Sequence, residues 1–137
     1  MVKQEPICKT TAYGDKHWYL NGKQHREDGP AVEWADGTKF WYLNGKRHRE
    51  DGPAVEYAYG TKAWWINGEL HRLGGPSVTD EDGKFWYLNG KRHREDGPAV
   101  EYNDGTKEWF LNGKKLTEEE FNKKITELNV SKIHELW

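Results

Sequence analysis

The sequence predicts an all-β protein: an elongated, single antiparallel sheet of about four and a half tandem β-hairpin repeats, closed by a C-terminal helical cap. Three observations predict this fold. A long string of residues recurs at a nearly constant period, and every unit carries two turn signals. The chain is also poor in apolar residues (34%) but rich in aromatic ones (14%). Few but large apolar side chains are typical of a thin array whose units pack only on their neighbours.

The repeat begins at a tryptophan and returns almost unchanged. Trp-Tyr-Leu-Asn-Gly-Lys-Gln-His-Arg-Glu-Asp-Gly-Pro-Ala-Val-Glu starts at the first of these tryptophans, and three similar copies and a half-unit follow. We number units 1 to 4 by Trp18, Trp41, Trp64 and Trp86, and the half-unit begins at Trp109. The steps are 23, 23, 22 and 23 residues, and a degraded half-unit at 13–17 precedes unit 1. Such self-similarity is the signature of a repeat architecture.

Two reversals are predicted in each unit. Asn44-Gly45 lies between two strand-like segments, and both residues tolerate the positive φ of a type I′ hairpin turn. Asp36-Gly37 marks a second reversal of the same kind. The segment 50–53, Glu-Asp-Gly-Pro, links one strand pair to the next, with proline suited to a strand's first residue. The sequence therefore predicts an antiparallel meander that advances roughly 10 Å per unit.

Alternation along the Trp-led strands predicts two aromatic faces. The first face pairs each leading tryptophan with the aliphatic residue two positions on, and we expect this row to form the continuous core. Its members are Trp18, Leu20, Trp41, Leu43, Trp64, Ile66, Trp86, Leu88, Trp109 and Leu111. The opposite face carries Tyr19, Tyr42, Trp65, Tyr87 and Phe110. Either sheet curvature and long charged side chains cover this second row, or it is an exposed platform for recognition.

The pattern changes after Leu116, which divides the chain into a repeat array at 1–116 and a C-terminal helical cap at 117–137. Thr117 and Glu120 have the spacing of a capping box. Phe121, Ile125 and Leu128 recur at helical spacing, with a stop expected at Asn129 and a second short segment over 131–137. A helix here would cover the last open strand edge.

Asn-Gly-Lys-Arg-His followed by Asp-Gly at this period resembles the MORN repeat, in the variant forms found in phage, bacterial and giant-virus proteins. The resemblance covers nearly everything except the tail. It implies short hairpins stacked into a slightly twisted sheet that serves as an interaction scaffold, promotes dimerisation and in some members contacts lipid. A typical MORN unit continues His-Gly-x-Gly, whereas this chain reads His-Arg-Glu-Asp-Gly-Pro at 48–53. The charges in that segment disfavour a membrane-binding role.

Every unit carries a His-Arg dipeptide, and Glu-Asp follows it in three of the four. A row of arginines beside aromatic rings suits a nucleotide-like anion, with guanidinium to phosphate and ring to base. Alternatively, each arginine pairs with its acidic neighbours in a structural ladder. Equivalent histidines lie roughly 10 Å apart, too far to share a zinc ion, so no metal site is predicted. The candidate anion-binding residues are Arg26, Arg49, Arg72, Arg94, His25, His48, His71 and His93.

Unit 3 departs from the pattern. Leu73-Gly74 replaces Glu-Asp, the segment 77–80 replaces Ala-Val-Glu-Tyr, and Gly83 runs directly into Lys84 with no threonine between. A missing residue within a strand turns the side chains to the other face unless a bulge absorbs it. This irregularity is either neutral drift or the centre of a protein-binding surface. The candidate partner-binding residues are Tyr42, Trp65, Leu70, Arg72, Leu73 and Tyr87.

The sequence offers no catalytic group and no cofactor site. Its two serines, Ser77 and Ser131, lie outside any nucleophile elbow, and its glycines are turn residues at repeat spacing. A net charge of −2 argues against long nucleic acid as the main partner. The single cysteine, Cys8, and the lack of a signal-like or membrane-spanning apolar run predict a cytoplasmic protein, in the host cytoplasm if a phage encodes it.

These observations favour a non-enzymatic protein-interaction module. Its partner would be another protein or a second copy of itself, and in a phage it would inhibit or sequester a host factor. The alternative is a sponge-type protein that captures a nucleotide or similar small anion on the Arg/aromatic row. A lipid-surface binder is a third, weaker option.

Overall fold

The computed structural model describes residues 3–135 and confirms the predicted antiparallel hairpin-repeat fold with its helical cap. In chain order the elements are β1 (Ile7–Thr10), β2 (Lys16–Leu20), β3 (Lys23–Gln24), β4 (Val32–Glu33), β5 (Lys39–Phe40), β6 (Tyr42–Leu43), β7 (Lys46–Arg47), β8 (Val55–Glu56), β9 (Lys62–Ala63), β10 (Trp65–Ile66), β11 (Glu69–Leu70), β12 (Val78–Thr79), β13 (Gly83–Phe85), β14 (Tyr87–Leu88), β15 (Lys91–Arg92), β16 (Val100–Tyr102), β17 (Lys107–Leu111), β18 (Lys114–Leu116) and α1 (Glu118–Glu135).

The strands form one large sheet and three small hairpins. The main sheet has twelve strands in the order β1-β2-β4-β5-β8-β9-β12-β13-β16-β17-β18, with β3 paired to β2. The pairs β6-β7, β10-β11 and β14-β15 are separate two-stranded ladders, each closed by an Asn-Gly turn. Asn44 and Gly45 have φ values of 51° and 78°, which are the positive angles that the predicted type I′ turn requires.

The single continuous ribbon of Trp-led strands predicted from the sequence is wrong for units 2 to 4. There the strand breaks at the tryptophan, because the backbone changes partner at that residue. In unit 2 the Trp41 N–H donates to the Ala54 carbonyl (2.8 Å), whereas the Trp41 carbonyl accepts from His48 N–H (3.0 Å). Only β2 and β17 run through their tryptophans without a break.

The core lies on the face opposite to the one that the sequence predicted. Directly paired residues of the main sheet form one cross-strand row, and most of its members are apolar and buried. The row runs His17, Val32, Phe40, Val55, Ala63, Val78, Phe85, Val100 and Glu108. Hairpin residues Tyr42, Trp65 and Leu70 pack against its buried centre. The Trp/Leu row predicted as the core is only partly buried on the other face.

That other face of the main sheet carries alternating charges. Its cross-strand row runs Lys16, Glu33, Lys39, Glu56, Lys62, Thr79, Lys84, Glu101 and Lys107. Opposite charges directly across an antiparallel pair are favourable, whereas like charges are not. The alternation is interrupted once, in unit 3, where Thr79 lies between two lysines.

The residue missing from unit 3 is absorbed in a turn, so the strand register is preserved. In unit 1 the turn closes with Trp34 N–H on the Thr38 carbonyl (2.8 Å), whereas in unit 3 Asp80 N–H bonds Gly83 O (3.1 Å) across one residue fewer. A Cβ at Gly83 would lie 2.2 Å from the Glu101 carbonyl oxygen, so only glycine fits this shorter path.

Both ends of the array carry an extra element. At the N-terminus β1, which was not predicted from the sequence, pairs with residues 16–19 of β2. At the C-terminus the Thr117 hydroxyl accepts the Glu120 N–H (3.1 Å), and Phe121 is buried as α1 contacts β17 and β18. The stop predicted at Asn129 is wrong, because one asparagine costs well under about 1 kcal/mol in a helix. Leu136 and Trp137 of the predicted second segment lie outside the described residues.

Candidate functional site

On the charged face, each of the four units stacks one arginine on its leading tryptophan. In unit 2 the Arg49 guanidinium carbon lies 3.9 Å from the centroid of the Trp41 ring, and the other three units match this within 0.1 Å. We call the resulting surface the Arg/Trp face. Its pairs are Arg26 on Trp18, Arg49 on Trp41, Arg72 on Trp64 and Arg94 on Trp86. A stacked cation of this kind contributes about 0.5–2 kcal/mol, depending on its exposure.

The loop glycine explains how the arginine is held from its other side. A Cβ built on Gly52 would lie 2.8 Å from the Arg49 guanidinium carbon, and one on Gly75 would lie 2.7 Å from that of Arg72. The guanidinium is therefore sandwiched between an indole ring and a backbone that bears no side chain. Glycine is required here for close approach, and neither Gly52 nor Gly75 has a positive φ.

In units 1, 2 and 4 the same guanidinium is bound by protein acceptors at Nε and Nη1. Arg49 Nη1 donates to the Pro53 carbonyl (3.0 Å) and to Glu56 Oε1 (3.2 Å), and its Nε donates to Asp51 Oδ1 (3.2 Å). Arg94 repeats all three bonds, and in unit 1 Arg26 has the same acceptors, with Glu33 at 3.5 Å. The structural ladder expected from the sequence is therefore present in these three units.

The histidines are joined to the following unit. Nδ1 of His25, His48, His71 and His93 accepts the backbone N–H of the next unit's turn asparagine, at 2.9, 3.0, 3.2 and 2.9 Å. An accepting Nδ1 places the imidazole proton on Nε2, which in units 1 and 2 lies 3.6 Å from a glutamate oxygen. These rings therefore connect successive hairpins, a role that the dipeptide alone does not reveal.

Arg72 in unit 3 is different. It keeps the ring of Trp64 at 3.8 Å and the Pro76 carbonyl at 3.0 Å. Gly74 and Thr79 stand where the aspartate and the glutamate of the other units stand. Within residues 3–135, no carboxylate lies at ion-pair distance from Arg72. The Arg72 guanidinium is thus held in place by Trp64 and Pro76 but has no internal carboxylate as a partner.

An exposed leucine adjoins this arginine. Leu73 is 77% exposed, at the position where the other units carry glutamate. Beside it runs a groove of about 520 Å³ between the loop of unit 2 and the hairpin of unit 3, lined among others by Glu50, Trp64 and Ile66. The equivalent groove between units 1 and 2, about 660 Å³, is lined by four carboxylates from its two Glu-Asp pairs. This groove keeps two carboxylates, those of Glu50 and Asp51, and unit 3 contributes Leu73 where the other groove has a second Glu-Asp pair.

The remaining predicted partner-binding residues are not brought together at this surface. Tyr42, Trp65 and Leu70 pack against the core cluster on the opposite face. The Tyr87 hydroxyl accepts Arg92 Nε (3.2 Å), and this bond is the main reason that the pKa of Arg92 is raised. Of the six predicted residues, the structure places only Arg72 and Leu73 at this groove. Thr79 lies in the segment 77–80 that departs from the repeat, but it was not among the predicted binding residues. Glutamate occupies its position in the other three units, so Thr79 also distinguishes unit 3.

A further ion pair lies near the N-terminus. Lys3 Nζ donates to Glu27, and this bond lowers the pKa of the Glu27 carboxyl and raises that of Lys3. Across residues 3–135 no three His, Cys, Asp or Glu side chains cluster in a way that could hold a metal ion. In the same part of the chain, no helix combines the length and apolar character that a membrane crossing requires.

The comparisons with known proteins assign no relative. No protein-family model matches the chain, and no curated protein is significantly similar to it. The resemblance to MORN repeats therefore rests on the Asn-Gly-Lys-Arg-His sequence and its period alone.

Proposed function

We propose that this chain is a non-enzymatic protein-interaction module that receives its partner on the Arg/Trp face at unit 3. One observation carries the proposal: Leu73 is 77% exposed where the other units carry glutamate, and it lies next to the one arginine of the row without a carboxylate. Interaction sites combine exposed apolar anchors with arginine, and aromatic residues are enriched in them. The partly buried Trp64 and Ile66 supply the walls of the groove.

The repeat architecture supports this assignment. Units 1, 2 and 4 bind their arginines to internal carboxylates, and unit 3 differs from them by a few side chains on the same backbone. The resemblance of the sequence to MORN repeats also favours a scaffold role by analogy. Leu73 lies at a groove that the partly buried Trp64 and Ile66 also line, so a partner would find an apolar contact next to Arg72 there.

The test is capture by an immobilised chain from a lysate of its natural source, compared between the wild type and two reciprocal variants. Leu73→Glu gives unit 3 the residue of the other units, and Glu50→Leu places leucine in unit 2 instead. We expect Leu73→Glu to abolish capture of the specific partner, whereas Glu50→Leu leaves it unchanged. Light scattering of the purified chain identifies self-association as the interaction if Leu73→Glu converts a dimer to a monomer. Identical capture by all three proteins would contradict the proposal.

Binding of a small anionic ligand is the second candidate function, and Arg72 is the residue that would bind it. The arginines of units 1, 2 and 4 and all four histidines already hold protein partners. Of the four arginines of the Arg/Trp face, only Arg72 has no carboxylate partner, so the nucleotide-binding hypothesis depends on one residue rather than on a row.

A further inference from the structure

The three complete copies of the arginine site show which chemical group the fourth one lacks. In units 2 and 4 the guanidinium binds two carboxylates, one at Nε and one at Nη1, at 2.9–3.2 Å. Unit 3 retains the ring, the carbonyl and the glycine that hold the guanidinium in the same place. The internal copies therefore act as a template for a ligand of Arg72: a carboxylate oxygen that accepts a charge-assisted hydrogen bond from a guanidinium N–H.

The surroundings of Arg72 reinforce this preference for an anion. Thr79 pairs in register with Lys62 on one side and Lys84 on the other. In the rest of the row each such position holds a glutamate between two lysines, so the charge of Lys62 and Lys84 is balanced on only one side. Three cations thus converge on a position where the neighbouring units place an acid. A bound anion there would restore the alternation of charge along the sheet.

We infer that Arg72 binds a carboxylate on an acidic segment of the partner protein, with an apolar residue of the same segment packed against Leu73. This inference rests on the proposed function and specifies its partner. A carboxylate is favoured over a free phosphate for two reasons. The template ligands are aspartate and glutamate, and the exposed Leu73 adds an apolar contact that a peptide can use and an inorganic ion cannot. Charge complementarity selects the acidic segment over a basic or neutral one.

The binding mode predicts which substitutions remove the site and which create it. Thr79→Glu supplies the missing internal carboxylate beside Arg72, Lys62 and Lys84, so it competes with the partner while retaining the fold. Thr79→Gln has nearly the same size and no charge, and it serves as the matched control. Conversely, the double substitution Asp96→Gly and Glu101→Thr removes the two carboxylates of Arg94 and should give unit 4 a second site.

The test is a titration of the full chain with acetyl-Glu-Leu-Glu-amide, in which NMR follows the Nε–Hε signals of the four arginines of the Arg/Trp face. We expect the Arg72 signal alone to shift in the wild type and in Thr79→Gln. The peptide affinity should fall at least tenfold in Thr79→Glu, and Arg94 should respond in the unit 4 double variant. Sodium chloride at equal ionic strength controls for screening. Equal shifts at all four arginines, or none, would overturn the inference, and so would inorganic phosphate binding more tightly than the peptide.

The two proposals fail in distinguishable ways. If Leu73→Glu abolishes partner capture but the peptide does not shift Arg72, the interaction surface stands and its acidic ligand is wrong. If the peptide titrates Arg72 but Leu73→Glu changes no capture, Arg72 binds carboxylates and the surface proposed for unit 3 is wrong.

Discussion

His48 accepts the backbone N–H of Asn67 at its imidazole Nδ1 with an N···N distance of 3.0 Å, although the two residues lie 19 positions apart. The same bond joins every unit to the next, so the histidine of one hairpin fixes the turn of the following one. Repeat proteins gain their stability from such nearest-neighbour terms. The histidines thus have a structural task that accounts for their presence in every unit.

Replacing this histidine should weaken the array. We expect His48→Ala to lower the free energy of unfolding by about 1 kcal/mol, since it removes one side-chain hydrogen bond from a part-buried site. Chemical denaturation measures the effect. His134→Ala, in the exposed last turn of α1, is the matched control and should change stability by less than about 0.5 kcal/mol. An equal loss in both variants would contradict the linking role of His48.

The glycine beneath each guanidinium makes a second prediction. Gly52→Ala places a methyl group 2.8 Å from the Arg49 guanidinium carbon, so the arginine must leave the Trp41 ring. We expect a loss of about 1–3 kcal/mol in the free energy of unfolding, typical of overpacking. Gly29→Ala, with a 3.1 Å approach to Arg26, should cost less. A reversed order of the two variants would show that the sandwich does not set the cost.

Trp65 belongs to the core rather than to a recognition platform, and its substitution should show it. Trp65→Ala removes a large ring that packs on the core cluster, so we expect a loss of about 3–5 kcal/mol in thermal or chemical unfolding. Trp65→Phe keeps a ring and deletes an Nε1 donor that is buried without a protein acceptor. It should cost less than half as much. A neutral Trp65→Ala would restore the platform hypothesis.

The stability of the last Asp-Gly turn, at Asp104, depends on pH. The pKa of Asp104 is lowered from 3.8, mainly because its carboxylate accepts the Thr106 backbone N–H (2.8 Å) and secondarily through the Thr106 side chain. A lowered folded-state pKa adds stability above the unfolded-state pKa, and that contribution is lost as the pH falls through the folded value. The Thr106 amide shift should therefore titrate with a midpoint below 3.8, and Thr106→Val should raise it. A midpoint at or above 3.8 would contradict the bond.

The sequence predicts what local chemistry determines. Asn-Gly at 44–45 gave the turn and its φ angles, and Thr117 gave the start of α1, because both signals act within a few residues. The identity of the core face was not predictable in this way. Trp41 alternates as a core residue would, yet its ring stacks on Arg49, which comes from the return of the same hairpin. Only the three-dimensional pairing decides which aromatic row is covered.

The candidate site was predicted in part, for the same reason. The departure of Leu73-Gly74 from the repeat is visible in the text and pointed to unit 3. The role of Thr79 could not be predicted from the sequence, because it depends on an arginine seven residues earlier and on lysines from two adjacent strands. Strand β1 does not contain the repeat sequence, so no local sequence signal distinguished it from a linker.

Water exchange of the Nε protons of the four arginines of the Arg/Trp face tests the central claim most directly. That claim is that one guanidinium of this row has no internal carboxylate and is left for a partner. Arg26, Arg49 and Arg94 each donate Nε–H to an aspartate at 2.9–3.2 Å, and Arg72 has none. In the isolated protein, NMR should show slow exchange for those three protons and markedly faster exchange for that of Arg72. Equal protection of all four would contradict the account.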